Sequence, residues 1–187
     1  MAFENIEWVY SNSACNTVRY VLGKKASNTI ACIGINPSTA SPNDLDNTLK
    51  SVKRIAAFNG YDGWVMYNLY PQRSTDPSLL DKEVNHHLRL KNSYAIKQSI
   101  LELKIDTIWL AFGNLIESRT YLSLCMLSIH ENLKDLDLNW KIIGVPTKKG
   151  HPAHPLYKAT KSELKKFNVE NYVNTKLKPI IHQMKQD

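Results

Sequence analysis

Apolar residues in this chain fall into short, nearly continuous runs separated by longer stretches of helical periodicity. Four runs stand out: 29–35 (TIACIGI), 64–69 (WVMYNL), 107–112 (TIWLAF) and 141–145 (KIIGV). Runs with so little polar alternation predict strands buried on both faces, as in a parallel sheet covered by helices. Between them, residues 45–58 put Leu45, Leu49, Val52, Ile55 and Ala56 on one stripe and stop at Asn59-Gly60, a helix-ending pair. Residues 81–103 open on Asp81, a good N-cap, and predict two helices or one bent helix. Residues 115–127 predict another. Thr160-Lys161-Ser162-Glu163 has the form of a capping box and predicts a helix after the last strand. Segments 6–10 and 18–23 predict a hairpin on one edge of the sheet.

Strands alternating with helices give an α/β fold, a three-layer α/β/α sandwich around a four-stranded parallel sheet. The 187 residues suit one domain: a hairpin within 1–28, a core over 29–158 and C-terminal helices over 159–187.

Composition narrows the class only slightly. At 43% hydrophobic and 22% charged, the chain is an ordinary globular one. No apolar run approaches the roughly 20 residues of a membrane span. The start, MAFENIEW, has no basic region followed by an apolar core, so no signal peptide is expected. Cys15, Cys32 and Cys125 are far apart and odd in number, which fits a reducing compartment, the cytoplasm by default. The formal charge of +7 permits a polyanionic partner. Much of the excess lies late in the chain, from Lys148 and Lys149 to Lys176, Lys178 and Lys185, where solvated helix faces would explain it equally well.

Candidate chemistry gathers at the strand ends, where parallel α/β sheets bind their ligands. The first strand runs into Gly34-Ile35-Asn36-Pro37-Ser38-Thr39. Gly34 lets a ligand or a neighbouring backbone come close, and Pro37 holds Asn36 out of helical geometry. A plain Asx turn would use the same residues. The second strand ends in Asn68-Leu69-Tyr70-Pro71-Gln72-Arg73, the third in Phe112-Gly113-Asn114. The fourth leads through Lys148-Lys149 to Gly150-His151-Pro152-Ala153-His154-Pro155-Leu156-Tyr157. One pocket would then hold amides and an imidazole with few or no carboxylates. An amide both donates and accepts, which suits a neutral, planar ligand such as a nucleobase. A metal would want carboxylates or clustered Cys and His, so neither a metal nor a cofactor is expected.

The order of these motifs resembles the uracil-DNA glycosylase superfamily. Gly34-Ile35-Asn36-Pro37 is similar to its first motif, Asn68 to its base-recognising asparagine, "IWLAFGN" to its third strand, and His151-Pro152-Ala153 to its late His-Pro-Ser loop. The likeness spans residues 29–158. More closely, "INPSTA", "NLYPQRSTDP" and "GHPAHPLY" resemble a bacterial and phage family that carries a domain-of-unknown-function label, as does "RYVL" at 19–22.

The resemblance implies an N-glycosidic hydrolase that flips a damaged or modified base out of DNA. Asn36 and His151 would be catalytic, holding water and stabilising the departing base. Gly34, Ile35, Pro37, Ser38, Asn68, Tyr70, Arg73 and Asn114 would contact the substrate, with Tyr70 or Phe58 stacking on the base, and His154, which has no counterpart in the superfamily, is expected to contact it as well. Arg73, Lys148 and Lys149 would meet phosphate, and Leu156 or Tyr157 would fill the gap left in the stack. The sequence also departs from the superfamily. Asn36 stands where the efficient enzymes have aspartate, and Ala153 stands in place of the loop serine. Two alternatives therefore stay open: a protein that binds or processes a free nucleotide or nucleoside, and a non-catalytic module that recognises modified nucleic acid.

Overall fold

The structure, a computed structural model, describes residues 7–183. β1 (Glu7–Asn12) and β2 (Arg19–Lys25) form the expected hairpin, whose residue 6 lies outside the described residues. β3 (Thr29–Gly34), β4 (Gly63–Asn68), β5 (Thr107–Leu110) and β6 (Asn139–Ile143) are the four expected strands. They pair in parallel in the order β4-β3-β5-β6. β2 pairs antiparallel with β4, and β7 (Leu164–Lys166) pairs antiparallel with β6. The sheet is therefore seven-stranded and mixed, in the order β1-β2-β4-β3-β5-β6-β7. The expected four parallel strands are its centre rather than its whole, because an unpaired edge strand leaves a row of open N–H and C=O groups that the flanking strands take up.

β7 is a correction, since Thr160–Glu163 was expected to open a helix. The Leu164 N–H instead donates to Asn59 Oδ1 at 2.9 Å, and the Phe167 N–H to the Trp140 carbonyl at 2.8 Å. Pairing with the open edge of β6 claims the groups a helix would need. The C-terminal helical segment starts later, as α4 (Val169–Tyr172), which passes through a π-helical turn (Val173–Leu177) into α5 (Lys178–Gln183).

α1 (Asn47–Phe58) ends at Asn59-Gly60 as its pattern indicated, with Gly60 at φ +85°. α2 (His86–Leu103) starts later than expected, because Asn85 rather than Asp81 caps it, accepting from Leu88 N at 3.0 Å. α3 (Tyr121–Leu133) follows a 3-10 segment (Gly113–Ser118) that occupies the front of the expected 115–127 helix.

Strict alternation within buried strands divides the core in two. Ile30, Cys32, Trp64, Met66, Trp109 and Ala111 face α1. Ala31, Ile33, Val65, Tyr67, Ile108 and Leu110 face α2, α3 and the C-terminal segment. The helix after β3 thus covers one face and the helix after β5 the other, so the chain diverges between these adjacent strands. A crevice opens at the carboxyl ends beside such a divergence. No helix among the described residues is long and apolar enough to cross a membrane.

β2 meets β4 closely at one point. A Cβ on Gly23 would lie 2.3 Å from the Trp64 carbonyl oxygen and 2.6 Å from Val65 Cα. Backbone atoms cannot give way as side-chain tips do. Gly23→Ala is expected to destabilise the fold by about 2–3 kcal/mol, read as a lower urea midpoint with an unchanged m-value.

Candidate functional site

A cavity of about 210 Å³ opens at the carboxyl ends of β3 and β4. β3 contributes Gly34 and, just past its end, Ile35 and Asn36, while β4 contributes Asn68. The segment leading into α1 adds Ser38 and Asp46, and the late loop adds His154 and Leu156. The volume lies below the roughly 300–1,000 Å³ of pockets for drug-sized ligands, so it admits only a small group.

Asn36 is fixed by its amide nitrogen, which donates to the Ser74 carbonyl at 2.8 Å and to its neighbour's carbonyl, Pro37, at 3.2 Å. That settles the orientation of the amide and leaves Oδ1 as an acceptor with no partner among the described residues. Asn68 is 2% exposed, and its Nδ2 is buried with no hydrogen-bond partner among the described residues. Its backbone is held from behind, because Asn92 Nδ2 donates to the carbonyls of Asn68 at 2.9 Å and Leu69 at 3.1 Å. Gly34 keeps room in front of it. A Cβ there would stand 3.1 Å from Asn68 Oδ1 and 2.5 Å from Met66 Cε.

His154 is the imidazole of the cavity. Its Nδ1 accepts the Leu156 N–H at 3.2 Å, so in the neutral ring the proton sits on Nε2, which is left to donate. Burial holds its pKa below the usual value, opposed by the nearby Asp46 carboxylate. The neutral donor form is therefore the one present at neutral pH.

Two charged groups in the walls were not foreseen from the sequence. Arg19 is 2% exposed, donates from Nη1 to the Ala40 carbonyl at 2.9 Å, and has a buried Nε without a partner among the described residues. Burial and then the neighbouring Arg73 push its pKa down to about 10. Asp46 is the N-cap of α1, accepting from Leu49 N at 2.8 Å and from Ser38 Oγ at 2.5 Å. The expectation of few or no carboxylates meets one among the described residues, placed by a helix cap. Its signal was available: an Asp three residues before Leu49, at a helix start that faces the ligand side of the sheet.

Other expected site residues lie elsewhere. His151 does not line the cavity. It is 2% exposed, with Nδ1 2.8 Å from Tyr172 Oη and Nε2 3.1 Å from Glu117 Oε1. Tyr70 is fully buried and accepts the Asn85 N–H at 3.1 Å, so it packs in the core rather than against a ligand. Pro37 is buried behind Asn36, and Asn114 is exposed and accepts from Thr147 Oγ1 at 2.6 Å. Arg73 is held by Tyr10 Oη at 2.7 Å and the carbonyls of Thr39 and Ala40, both at 3.3 Å. Lys149 pairs with Glu117, and Lys148 is exposed. Phe58 lies at the far end of α1. Of the two wedge candidates, Leu156 lines the cavity, while Tyr157 is 94% exposed at φ +64°. Among the described residues, no group of three or more His, Cys, Asp or Glu side chains is placed to hold a metal ion.

Residues 19–156 match the profile of a family described as "Protein of unknown function (DUF1643)". The matched span contains every residue of the cavity wall. No curated protein matches the chain.

The two histidines should behave differently. His151→Ala strands the Tyr172 hydroxyl and opens a hole in the core, so a loss of about 2–4 kcal/mol in stability is expected by urea denaturation. His154→Gln should cost little near neutral pH but change the response to acid. Because the folded state holds His154 neutral below the ordinary pKa of 6.5, the unfolded chain binds more protons there. The His154 contribution is complete above about pH 6.5 and is lost as the pH falls towards the depressed folded value, by at most about 1.4 kcal/mol per unit. Melting curves from pH 7.5 to 5 should show this decline in the native chain and a shallower one in His154→Gln.

Proposed function

The chain belongs to the DUF1643 family, and we propose that its cavity receives a single nucleobase and that the protein is an N-glycosidic hydrolase of the DNA-glycosylase kind, acting on a damaged or modified base. The observation behind this is Asn68. A buried amide donor without a partner costs roughly 1–3 kcal/mol, and a ligand that fills the cavity and pairs with it recovers that cost. Nδ2 and Oδ1 side by side match the adjacent acceptor and donor on a base edge. A uracil-DNA glycosylase-like fold is part of the same proposal. It is supported by four parallel strands whose carboxyl ends present Asn36, Asn68 and the His151–His154 loop in chain order.

In the reaction, water bonds to the anomeric carbon and the electron pair of the N-glycosidic bond leaves with the base. His154 Nε2–H donates to the base carbonyl on which that charge collects. Asn36 Oδ1 accepts one hydrogen of the water and orients it, since its amide nitrogen is engaged elsewhere. Asp46, the carboxylate that lines the wall among the described residues, takes the water's remaining proton and returns it to the departing base through solvent. In this proposal His154 takes the role expected of His151.

Recognition without cleavage is favoured by one observation. An aspartate at position 36 could take a proton directly, whereas Asn36 offers only a fixed acceptor.

Mass spectrometry of bases released from a panel of modified and mismatched oligonucleotides tests the proposal. A released base is expected. His154→Ala should slow single-turnover release about 10²–10³-fold with little change in substrate binding. Asn68→Ala should lose binding and base selectivity together. Binding without release from any oligonucleotide would leave the recognition module standing and the hydrolase not.

A further inference from the structure

We infer that a basic groove on the α1 face beside the cavity is the track for a nucleic-acid strand. The groove, about 570 Å³, is lined by Lys24 of β2, Lys50, Lys53 and Arg54 of α1, and two tryptophans, Trp8 and Trp64. Among the described residues, no acidic side chain lines it. Lys50, Lys53 and Arg54 follow helical spacing, so their side chains leave one side of α1, and all three are exposed. None of the four cations has a carboxylate partner among the described residues. Lys24 lies 4.7 Å from the centre of the Trp8 ring, which holds its ammonium group at the groove.

Four cations in a concave wall, without carboxylate partners among the described residues, form an electrostatic site for a chain of regularly spaced anions. The contrast with the residues expected to meet phosphate supports the assignment. Arg73 is tied to loop carbonyls and Lys149 is neutralised by Glu117, which leaves Lys148, exposed, as the one of the three without such a tie among the described residues. The groove also adjoins the cavity. Asn43 and Leu45 line the groove, and Asp46, the next residue, lines the cavity. A strand lying along α1 would present one of its bases at the Asn68 end of the sheet. The inference deepens the nucleobase proposal and rests on it for what the strand delivers. The phosphate contacts themselves need no base. A concave site suits a strand better than a flat lipid surface, which makes nucleic acid the partner.

The test compares Lys50→Glu/Lys53→Glu with Lys165→Glu/Lys166→Glu, a variant of equal charge change on β7 at the opposite edge of the sheet. Both are checked for folding by circular dichroism and melting. Fluorescence anisotropy is measured on a labelled single-stranded oligonucleotide, its duplex, an oligonucleotide of abasic sites, polyglutamate and phosphatidylserine vesicles, between 50 and 200 mM salt. The expected result is at least tenfold weaker binding of nucleic acid by the α1 variant only. Its salt slope should shrink by about 0.7 for each phosphate that is no longer neutralised on a single strand, or about 0.9 on a duplex. The relative weakening on the two oligonucleotides shows which form of strand occupies the groove. Equal weakening in both variants, none in the α1 variant, no binding of nucleic acid by the native chain, or tighter binding of polyglutamate or vesicles would each overturn the inference. Groove-dependent binding of the abasic strand, with no base released from any substrate, would keep the groove and refute the hydrolase.

Discussion

Ile30 and Cys32 on one face of β3, and Ala31 and Ile33 on the other, are all withdrawn from water. The same holds for Trp64–Tyr67 in β4 and Ile108–Ala111. A strand buried on both faces has no side on which to carry a polar side chain at low cost, so polar groups emerge only where it runs out. Asn36 and Asn68 stand at two such ends, on adjacent strands in parallel register, Gly34 beside Asn68. The cavity follows from that constraint. The parallel pairing brings the amides together, and the divergence of the helices after β3 and β5 keeps the space in front of them open.

The polar groups around the cavity are satisfied unevenly. Asn36 spends its donor on Ser74 and Pro37, Asp46 spends both oxygens on Leu49 and Ser38, and His154 spends Nδ1 on Leu156. What remains is an acceptor, a carboxylate edge and an imidazole donor, each held by a bond behind it. Asn68 Nδ2 and Arg19 Nε are the cavity-wall atoms that are buried without a partner among the described residues. Asn36, Asp46 and His154 are each anchored by a hydrogen bond, so the ordering of these three side chains needs no ligand.

Much of this was legible in the sequence. The four parallel strands and the end of α1 at Asn59-Gly60 follow from apolar runs and a helix-stop pair, both local signals. Gly34, Asn36, Ser38, Asn68 and His154 stand out by their positions at or after the ends of those strands, and all line one cavity. The misplaced elements depend on distant partners. A capping-box tetrapeptide became the turn before β7 because β6 offered an unpaired edge. Arg19 reads as part of a strand until the loop at Ala40 folds over it.

The histidine pair marks the boundary most clearly. The sequence by itself determined that two imidazoles, each ahead of a proline, leave the last parallel strand together. Their local patterns are nearly identical, His151-Pro152 and His154-Pro155, so nothing nearby distinguishes them. Tertiary structure decided which one meets the cavity. Tyr172, which follows β7, and Glu117, which follows β5, close on His151 from both ring nitrogens. Gly113, at φ +65°, leaves space where a Cβ would stand only 3.0 Å from that of His154, so the loop can pack close and place the second imidazole at the strand ends. Those contacts come from residues 21, 34 and 41 positions away, beyond the reach of any local pattern.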